Sequence, residues 1–273
     1  MNKIKLEKKS ICTGNLILVN EHYGVHKNPE DLLIPACDTV PEILLQRCAA
    51  TLLNRLMQEI HGWNSIVPVS GYRSLQEQQQ IWDSTIRESG PEFTRKYVAL
   101  PGHSEHQTGL AIDLGLKQEN IDFICPEFPY SGICQTFREK AAKYGFILRY
   151  PEGKEEITGI GHEPWHFRYV GVPHAEIMAA NGLTLEEYIL FIKQFPFGGR
   201  PYIMRKGSQE ILVSYIKMSE GNETEPPLLS ESGSVTIELF PDHPYTVSGN
   251  NTDGFILTEW RQRNEGTKEL RRA

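Results

Sequence analysis

The chain has 273 residues, a formal net charge of −7, 39% hydrophobic residues and 23% charged residues. This composition is typical of a globular protein with one large domain and a smaller one, and it argues against nucleic acid as a partner. The apolar run at residues 16–19 is too short for a signal-peptide core or a membrane span, so we expect a cytoplasmic protein.

The first half of the chain predicts alternating short strands and helices. Residues 15–20 predict a strand, and residues 41–62, with apolar side chains at helical spacing, predict a long core helix. Residues 66–69 predict a buried strand. The spacing of Ser74 and Glu77 is that of a capping box and predicts that the next helix begins there.

Residues 90–102 contain two prolines and predict a loop before the next strand. That strand, residues 110–114, is too apolar for a one-sided surface strand. We therefore expect it in the centre of a sheet, with Asp113 inside. A helix over residues 136–144 and strands at 146–150 and 165–170 follow.

Two short helices complete the large domain, one closed by Gly182 and one capped by Thr184 with Glu187. These interleaved short elements predict an α+β fold, in which a small mixed or antiparallel sheet is flanked by helices around a metal site. We place this domain at residues 1–198.

Beyond the glycine- and proline-rich boundary, residues 199–273 predict a small all-β domain of unknown role. Its strand-like runs are separated by two turn-rich stretches, residues 219–233 and 248–254. The sequence gives no indication of an oligomeric state.

Two stretches, residues 100–116 and 157–172, hold the residues with catalytic potential. They supply two imidazoles and two carboxylates: His106, His166, Asp113 and Glu163. Two histidines and one carboxylate form a catalytic zinc site that leaves a position for water, and a further carboxylate can serve as general base. We predict a zinc site formed by the two histidines and one of the two carboxylates, with the other carboxylate as the base.

This assignment requires two breaks in regular structure. On a continuous strand, the seven-residue offset from His106 to Asp113 would place the two side chains on opposite faces. We therefore expect Thr108 and Gly109 to interrupt the strand. In the second stretch, we expect Pro164 to bend the chain between Glu163 and His166.

The second stretch also permits a different metal site. Residues 162–166 spell HEPWH, which matches the helical H-E-x-x-H pattern in which both histidines bind zinc. Pro164 argues against this alternative, because proline inside a helix costs about 3 kcal/mol. We predict that His162 is a neighbour of the site.

Three motifs in order, SGYRS, PGHSEHQTGLAIDL and EPWHFRYVG, resemble those of the VanY-type D-alanyl-D-alanine carboxypeptidases and the related VanX and VanXY D,D-dipeptidases of glycopeptide-resistant bacteria. The resemblance covers about residues 67–182. It implies that His106, Asp113 and His166 bind the zinc ion and that Glu163 is the catalytic base. It also implies that Arg73 stabilises the developing oxyanion and that Ser104 helps to hold the terminal carboxylate of the substrate.

The resemblance further implies a small peptide substrate that ends in D-Ala-D-Ala. Among the relatives, the bifunctional cytoplasmic VanXY type agrees best with a chain in which no anchor is evident. Trp165 and Tyr72 could wall the pocket, although buried aromatic residues more often belong to the core.

Three alternatives remain open from the sequence. The first is a monofunctional carboxypeptidase, and the second is a phage-type endopeptidase that cleaves the L-Ala–D-Glu bond. The third is a cell-wall-binding module that retains the fold without the activity. Loss of a metal ligand or of Glu163 would favour the third, and the sequence retains all of them.

Overall fold

A computed structural model describes residues 2–27, 29, 33–218, 233–241 and 243–262. The α+β class is confirmed. The strands are β1 (Asn2–Glu7), β2 (Leu33–Pro35), β3 (Leu44–Gln46), β4 (Ile66–Ser70), β5 (Ala111–Leu116), β6 (Phe146–Leu148), β7 (His166–Tyr169), β8 (Tyr202–Lys206), β9 (Gln209–Lys217), β10 (Ser234–Leu239), β11 (Tyr245–Gly249) and β12 (Gly254–Gln262). The helices are α1 (Arg47–Ile60), α2 (Leu75–Tyr97), α3 (Gly132–Ala141), α4 (Glu155–Thr158), α5 (His174–Asn181) and α6 (Leu185–Ile192).

The chain divides into two compact units. One is Asn15–Ile189, and the other combines Met1–Gly14 with Leu190–Ala273. This division differs from the expected domains 1–198 and 199–273 at both ends of the larger unit. The difference at the N-terminus arises because β1, which the sequence analysis missed, pairs with β10 of the later segment.

An antiparallel sheet with strand order β4-β5-β7-β6 forms the centre of the larger unit. As predicted, β5 is an inner strand. Because side chains alternate along a strand, Ile112 and Leu114 enter the hydrophobic core while Asp113 lies on the other face. On β7, Phe167 and Tyr169 likewise enter the core. The face of the sheet opposite the core is thus available for polar residues.

The predicted long helix over residues 41–62 was wrong at its start. Residues Leu44–Gln46 form β3, which pairs with β2, and α1 begins only at Arg47. The apolar residues before Arg47 therefore follow the spacing of a helix by chance. Leu45 enters the core from a strand, and Leu53 and Leu56 enter it from the helix.

The predicted loop over residues 90–102 was also wrong in its first part. Helix α2 continues to Tyr97, with a kink at Gly90, where φ is +83°, and Pro91 follows in the new segment. Proline is tolerated in the first turn of a helix, so the kink lets the helix restart there. The capping box of Ser74 and Glu77 at the start of α2 is confirmed.

Residues 15–20 do not form the predicted strand. Their apolar side chains are buried, and the carbonyl groups of Asn15 and Ile17 accept hydrogen bonds from an arginine side chain. Arg168 donates to the carbonyls of Asn15 and Ile17, at 3.0 Å each. Buried carbonyl groups need hydrogen-bond donors, and here the Arg168 guanidinium group provides them.

The later elements agree with the sequence. Helix α3 passes into a short 3-10 turn that ends at Gly145, and β6 and β7 follow. The predicted cap of α6 is present, because the Thr184 backbone N–H donates to the Glu187 carboxylate at 2.9 Å. Among the described residues, every helix is too short or too polar to cross a bilayer.

Strands make up most of the described part of the smaller unit, which also contains a short 3-10 helix at Lys8–Ser10. Its sheet has the strand order β11-β12-β9-β8, and β1 pairs with β10. The turn-rich stretch at residues 248–254 is confirmed as the connection between β11 and β12, where the Asn250 side chain accepts three backbone N–H bonds. The other predicted turn-rich stretch lies outside the described residues, except for its last residue.

His174 on α5 generates a stability prediction. The residue is 6% exposed, and its Nδ1 lies 2.6 Å from the Tyr188 hydroxyl. Burial lowers the pKa of His174 from 6.5 to about 3. The unfolded chain therefore takes up a proton below pH 6.5 that the folded chain excludes, and stability is lost as the pH falls from 6.5 toward 3.

We expect the wild-type protein to lose about 2 kcal/mol more stability between pH 7 and pH 5 than the His174→Gln variant, which lacks the titrating ring. Urea unfolding at the two pH values measures this difference. An equal loss in both proteins would show that His174 takes up its proton without unfolding.

Candidate metal centre

The structure brings the three predicted metal ligands together on the polar face of the central sheet. Asp113 on β5 is paired directly with His166 on β7 in the antiparallel register. Side chains directly opposite in such a pair are close neighbours. His106 comes from a 3-10 turn, Glu105–Thr108, that precedes β5.

The predicted break before β5 is present. Gly109 has a φ of +68° and ends the 3-10 turn, so the chain changes direction between His106 and the strand. Because His106 is not part of the strand, it can reach the face on which Asp113 lies. The potential ligand atoms of His106, Asp113 and His166 all lie within 4.8 Å of one another.

Hydrogen bonds distinguish the two nitrogens of His106. Nδ1 lies 2.7 Å from the carbonyl oxygen of Gly71, which can only accept, so Nδ1 carries the proton. Nε2 faces Asp113 Oδ2 at 3.0 Å and, within the described part of the chain, has no aligned hydrogen-bond partner. A buried nitrogen with a free lone pair beside a carboxylate fits a metal ligand.

His166 presents its Nδ1 to the same carboxylate, 2.8 Å from Asp113 Oδ1. The carboxylate thus lies between the two rings. Burial alone would raise the pKa of Asp113. The neighbouring His106 and His166 lower this pKa by a larger amount, so the carboxylate stays anionic. Two imidazoles and one anionic carboxylate, all buried, are a donor set that fits zinc.

Burial, together with the nearby charge of Arg73, lowers the pKa of His106 to about 4. A neutral imidazole is required of a metal ligand, because a protonated ring has no free lone pair on either nitrogen. His106 is therefore in the correct protonation state at neutral pH.

Glu163 lies beside the cluster. Its Oε2 is 3.7 Å from His166 Nδ1, and the residue is 5% exposed. The chain bends between them, with the His166 N–H donating to the Glu163 carbonyl at 3.3 Å and Pro164 inside the bend. Burial raises the pKa of Glu163 to about 8, although His166 acts to lower it. A carboxylate that exchanges protons near neutral pH fits a general base.

His162 takes no part in the cluster. Its Nε2 lies 2.7 Å from the Tyr130 hydroxyl, and the two rings are stacked. Residues 162–165 are not helical, so they lack the helical turn that the H-E-x-x-H site needs. The interpretation of His162 as a neighbour agrees with this geometry.

A cavity of about 30 Å³ opens onto the cluster. Arg73, Ser104 and Trp165 line it, together with the three potential ligands and Glu163. Arg73 Nη2 lies 3.8 Å from Asp113 Oδ2. Tyr72 lies instead on a neighbouring groove, which it shares with Arg73, so its role in substrate binding stays a prediction.

The sequence analysis missed two residues of this site, Tyr150 and Glu105. The Tyr150 ring lies on the cavity wall, 4.8 Å from the His166 ring between centroids. Glu105 is 1% exposed, and its Oε1 accepts hydrogen bonds from two buried arginines. These arginines are 44 and 63 residues away in sequence, so adjacency to His106 was the only available signal.

Comparisons with known proteins agree with the geometry. The model of the VanY family, described as D-alanyl-D-alanine carboxypeptidase, matches residues 42–172. The chain is 46% identical over 185 residues to the bifunctional D-Ala-D-Ala dipeptidase and carboxypeptidase VanXYC of Enterococcus gallinarum. That match covers 66% of this chain and 96% of the relative.

Solved structures extend the similarity. The chain is similar to the vancomycin resistance D,D-dipeptidase VanXYg, crystallised with a phosphinate analogue of D-Ala-D-Ala, with a TM-score of 0.88 and 49% identity over 95% of this chain and 99% of that one. It is also similar to the D,D-pentapeptidase VanY from a VanB-type resistance cassette, crystallised with Zn(II). There the TM-score is 0.51 and the identity 29%, over 64% of this chain and 98% of that one.

The donor set generates a prediction about zinc. We expect zinc added to the metal-free protein to raise its unfolding temperature, because the ion binds the folded state. Asp113→Asn should abolish this increase, whereas His162→Ala should retain it. Thermal unfolding with and without zinc measures both. An increase lost in His162→Ala but kept in Asp113→Asn would contradict the assignment.

Proposed function

The chain belongs to the VanY family of D-alanyl-D-alanine carboxypeptidases, and on this basis we propose that it is a zinc-dependent D,D-peptidase with two substrates. It hydrolyses the D-Ala-D-Ala dipeptide and removes the terminal D-alanine from peptidoglycan pentapeptide precursors. The observation that carries the proposal is the buried cluster of His106, Asp113 and His166, with Glu163 and Arg73 beside it on one cavity.

In the proposed site, His106, Asp113 and His166 hold the zinc ion. When bound, zinc supplies a Lewis acid for the scissile carbonyl and makes water more acidic. Glu163 accepts the proton of the attacking water and then gives it to the leaving amine of D-alanine. The raised pKa of Glu163 supports both steps, because the group must take up and release a proton near neutral pH.

Arg73 and Ser104 act on the substrate in this proposal. The Arg73 guanidinium borders the cavity with a side chain that is 15% exposed, so its charge is only partly screened by water. It stabilises the negative charge on the carbonyl oxygen during attack. The Ser104 hydroxyl donates to the terminal carboxylate of the substrate, and the Trp165 ring forms an apolar part of the wall.

Two observations favour dual specificity over the alternatives. The first is the 46% identity to a relative named for both activities, which spans 96% of that relative. The second is the similarity over nearly the whole chain to a D,D-dipeptidase described as a vancomycin resistance protein. By removing precursors that end in D-Ala-D-Ala, the activity would confer glycopeptide resistance. The expected cytoplasmic location stays a prediction.

The proposal is tested by measuring D-alanine release from the free dipeptide and from the pentapeptide precursor, with and without a chelator. We expect release from both substrates, and we expect the chelator to abolish it. Glu163→Gln keeps the size of the side chain but removes the base, so the rate should fall by about 100- to 10,000-fold. Zinc binding by this variant should persist.

Glu152→Gln is the matched control, because it removes an exposed carboxylate close to the site in sequence. Its rates should equal those of the wild type. Release from the pentapeptide alone would indicate a monofunctional carboxypeptidase. Cleavage only of an L-Ala–D-Glu bond, or of a tetrapeptide ending in an L,D-bond, would replace the proposed substrate class. Zinc binding without any cleavage would favour the binding module.

A further inference from the structure

Glu105 is a buried carboxylate directly behind the proposed metal site. Its Oε1 accepts two hydrogen bonds, from Arg149 Nε and from Arg168 Nη1, at 2.7 Å each. The side chains of all three residues are 0% exposed. Because guanidinium groups can only donate, Glu105 Oε1 is the acceptor in both hydrogen bonds.

The second oxygen of Glu105 points toward a metal ligand. Oε2 lies 3.5 Å from His166 Nε2. Over the residues that the structure describes, each of these two buried atoms lacks a hydrogen-bond partner. An unpaired buried polar atom costs about 1 to 3 kcal/mol, so two such atoms that face one another form a complementary donor and acceptor pair.

Strand geometry brings the parts of this arrangement together. His166 and Arg168 are two residues apart on β7, so both side chains project from the same face of the sheet. Arg149 follows β6, which pairs with β7. Arg149 also donates to both carboxylate oxygens of Glu186, at 2.9 and 2.6 Å. Two arginines and two glutamates thus balance in charge, and the arginines bind the Glu105 oxygen that does not face His166.

We propose that Glu105 is a positioning residue for the metal centre: it accepts a hydrogen bond from His166 Nε2 and thereby keeps Nδ1 of that ring turned toward Asp113 and the metal. This inference rests on the proposed zinc site. A carboxylate that fixes a ligating histidine in this way raises the basicity of the ring and its affinity for the metal.

The substitution Glu105→Gln separates this role from simple packing, because it keeps the shape of the side chain. The two arginines can only donate, so the amide oxygen must face them and the amide NH₂ must face His166 Nε2. This reverses the hydrogen bond, places the imidazole proton on Nδ1 and blocks the ligating atom. We expect the zinc dissociation constant, measured by competition with a chromophoric chelator, to rise about 10- to 100-fold.

Glu186→Gln is the matched control. It weakens the same network at Arg149 but lies on α6, where its carboxylate accepts hydrogen bonds from Arg149 and Asn20. Its zinc affinity should equal that of the wild type. In Glu105→Gln, excess zinc should restore part of the D-alanine release, which a loss through misfolding would not allow. Wild-type affinity in Glu105→Gln, or an equal loss in both variants, would overturn the proposal.

A second measurement does not depend on the stability of any variant. NMR of the zinc-loaded wild-type protein with isotopically labelled histidine reports which ring nitrogen carries a proton. We expect the proton of His166 on Nε2 and that of His106 on Nδ1. A proton on Nδ1 of His166 would overturn the role of Glu105 while leaving D-alanine release intact. If the proposed function is wrong, the wild-type protein will instead show no chelator-sensitive release of D-alanine.

Discussion

The antiparallel register that places Asp113 opposite His166 is the constraint on which the rest of the site depends. A shift of one residue between β5 and β7 would turn one of these side chains into the hydrophobic core. The apolar neighbours Ile112 and Phe167 oppose such a shift, because both are fully buried on the other face. The packing of the core therefore fixes the spacing of the metal ligands.

Electrostatic interactions set the protonation states of the residues in the site. Burial raises the pKa of Glu163 to about 8 and lowers that of His106 to about 4. The same low-polarity environment therefore favours Glu163 as a base and a neutral His106 as a metal ligand. Asp113 stays anionic because two imidazoles surround it. Each group in the site takes its protonation state from its neighbours as much as from its own chemistry.

The sequence was sufficient to predict those features that depend on residues close together in the chain. The strand β5, the break before it, the bend at Pro164 and the capping box at Ser74 all follow from residues within a few positions of one another. It failed where a partner is distant in sequence. The strand pairing of β3 with β2 overrode a helical pattern, and the burial of Glu105 depends on arginines that come much later in the chain.

Arg168 connects the metal centre with the beginning of the larger unit. Its guanidinium group binds Glu105 with one nitrogen and the carbonyls of Asn15 and Ile17 with another. The segment at residues 15–20 thus acts as part of the lining behind the ligands, although it carries no catalytic side chain. A fragment that begins at residue 42, where the family match begins, would therefore leave the Arg168 guanidinium group without these two hydrogen-bond acceptors.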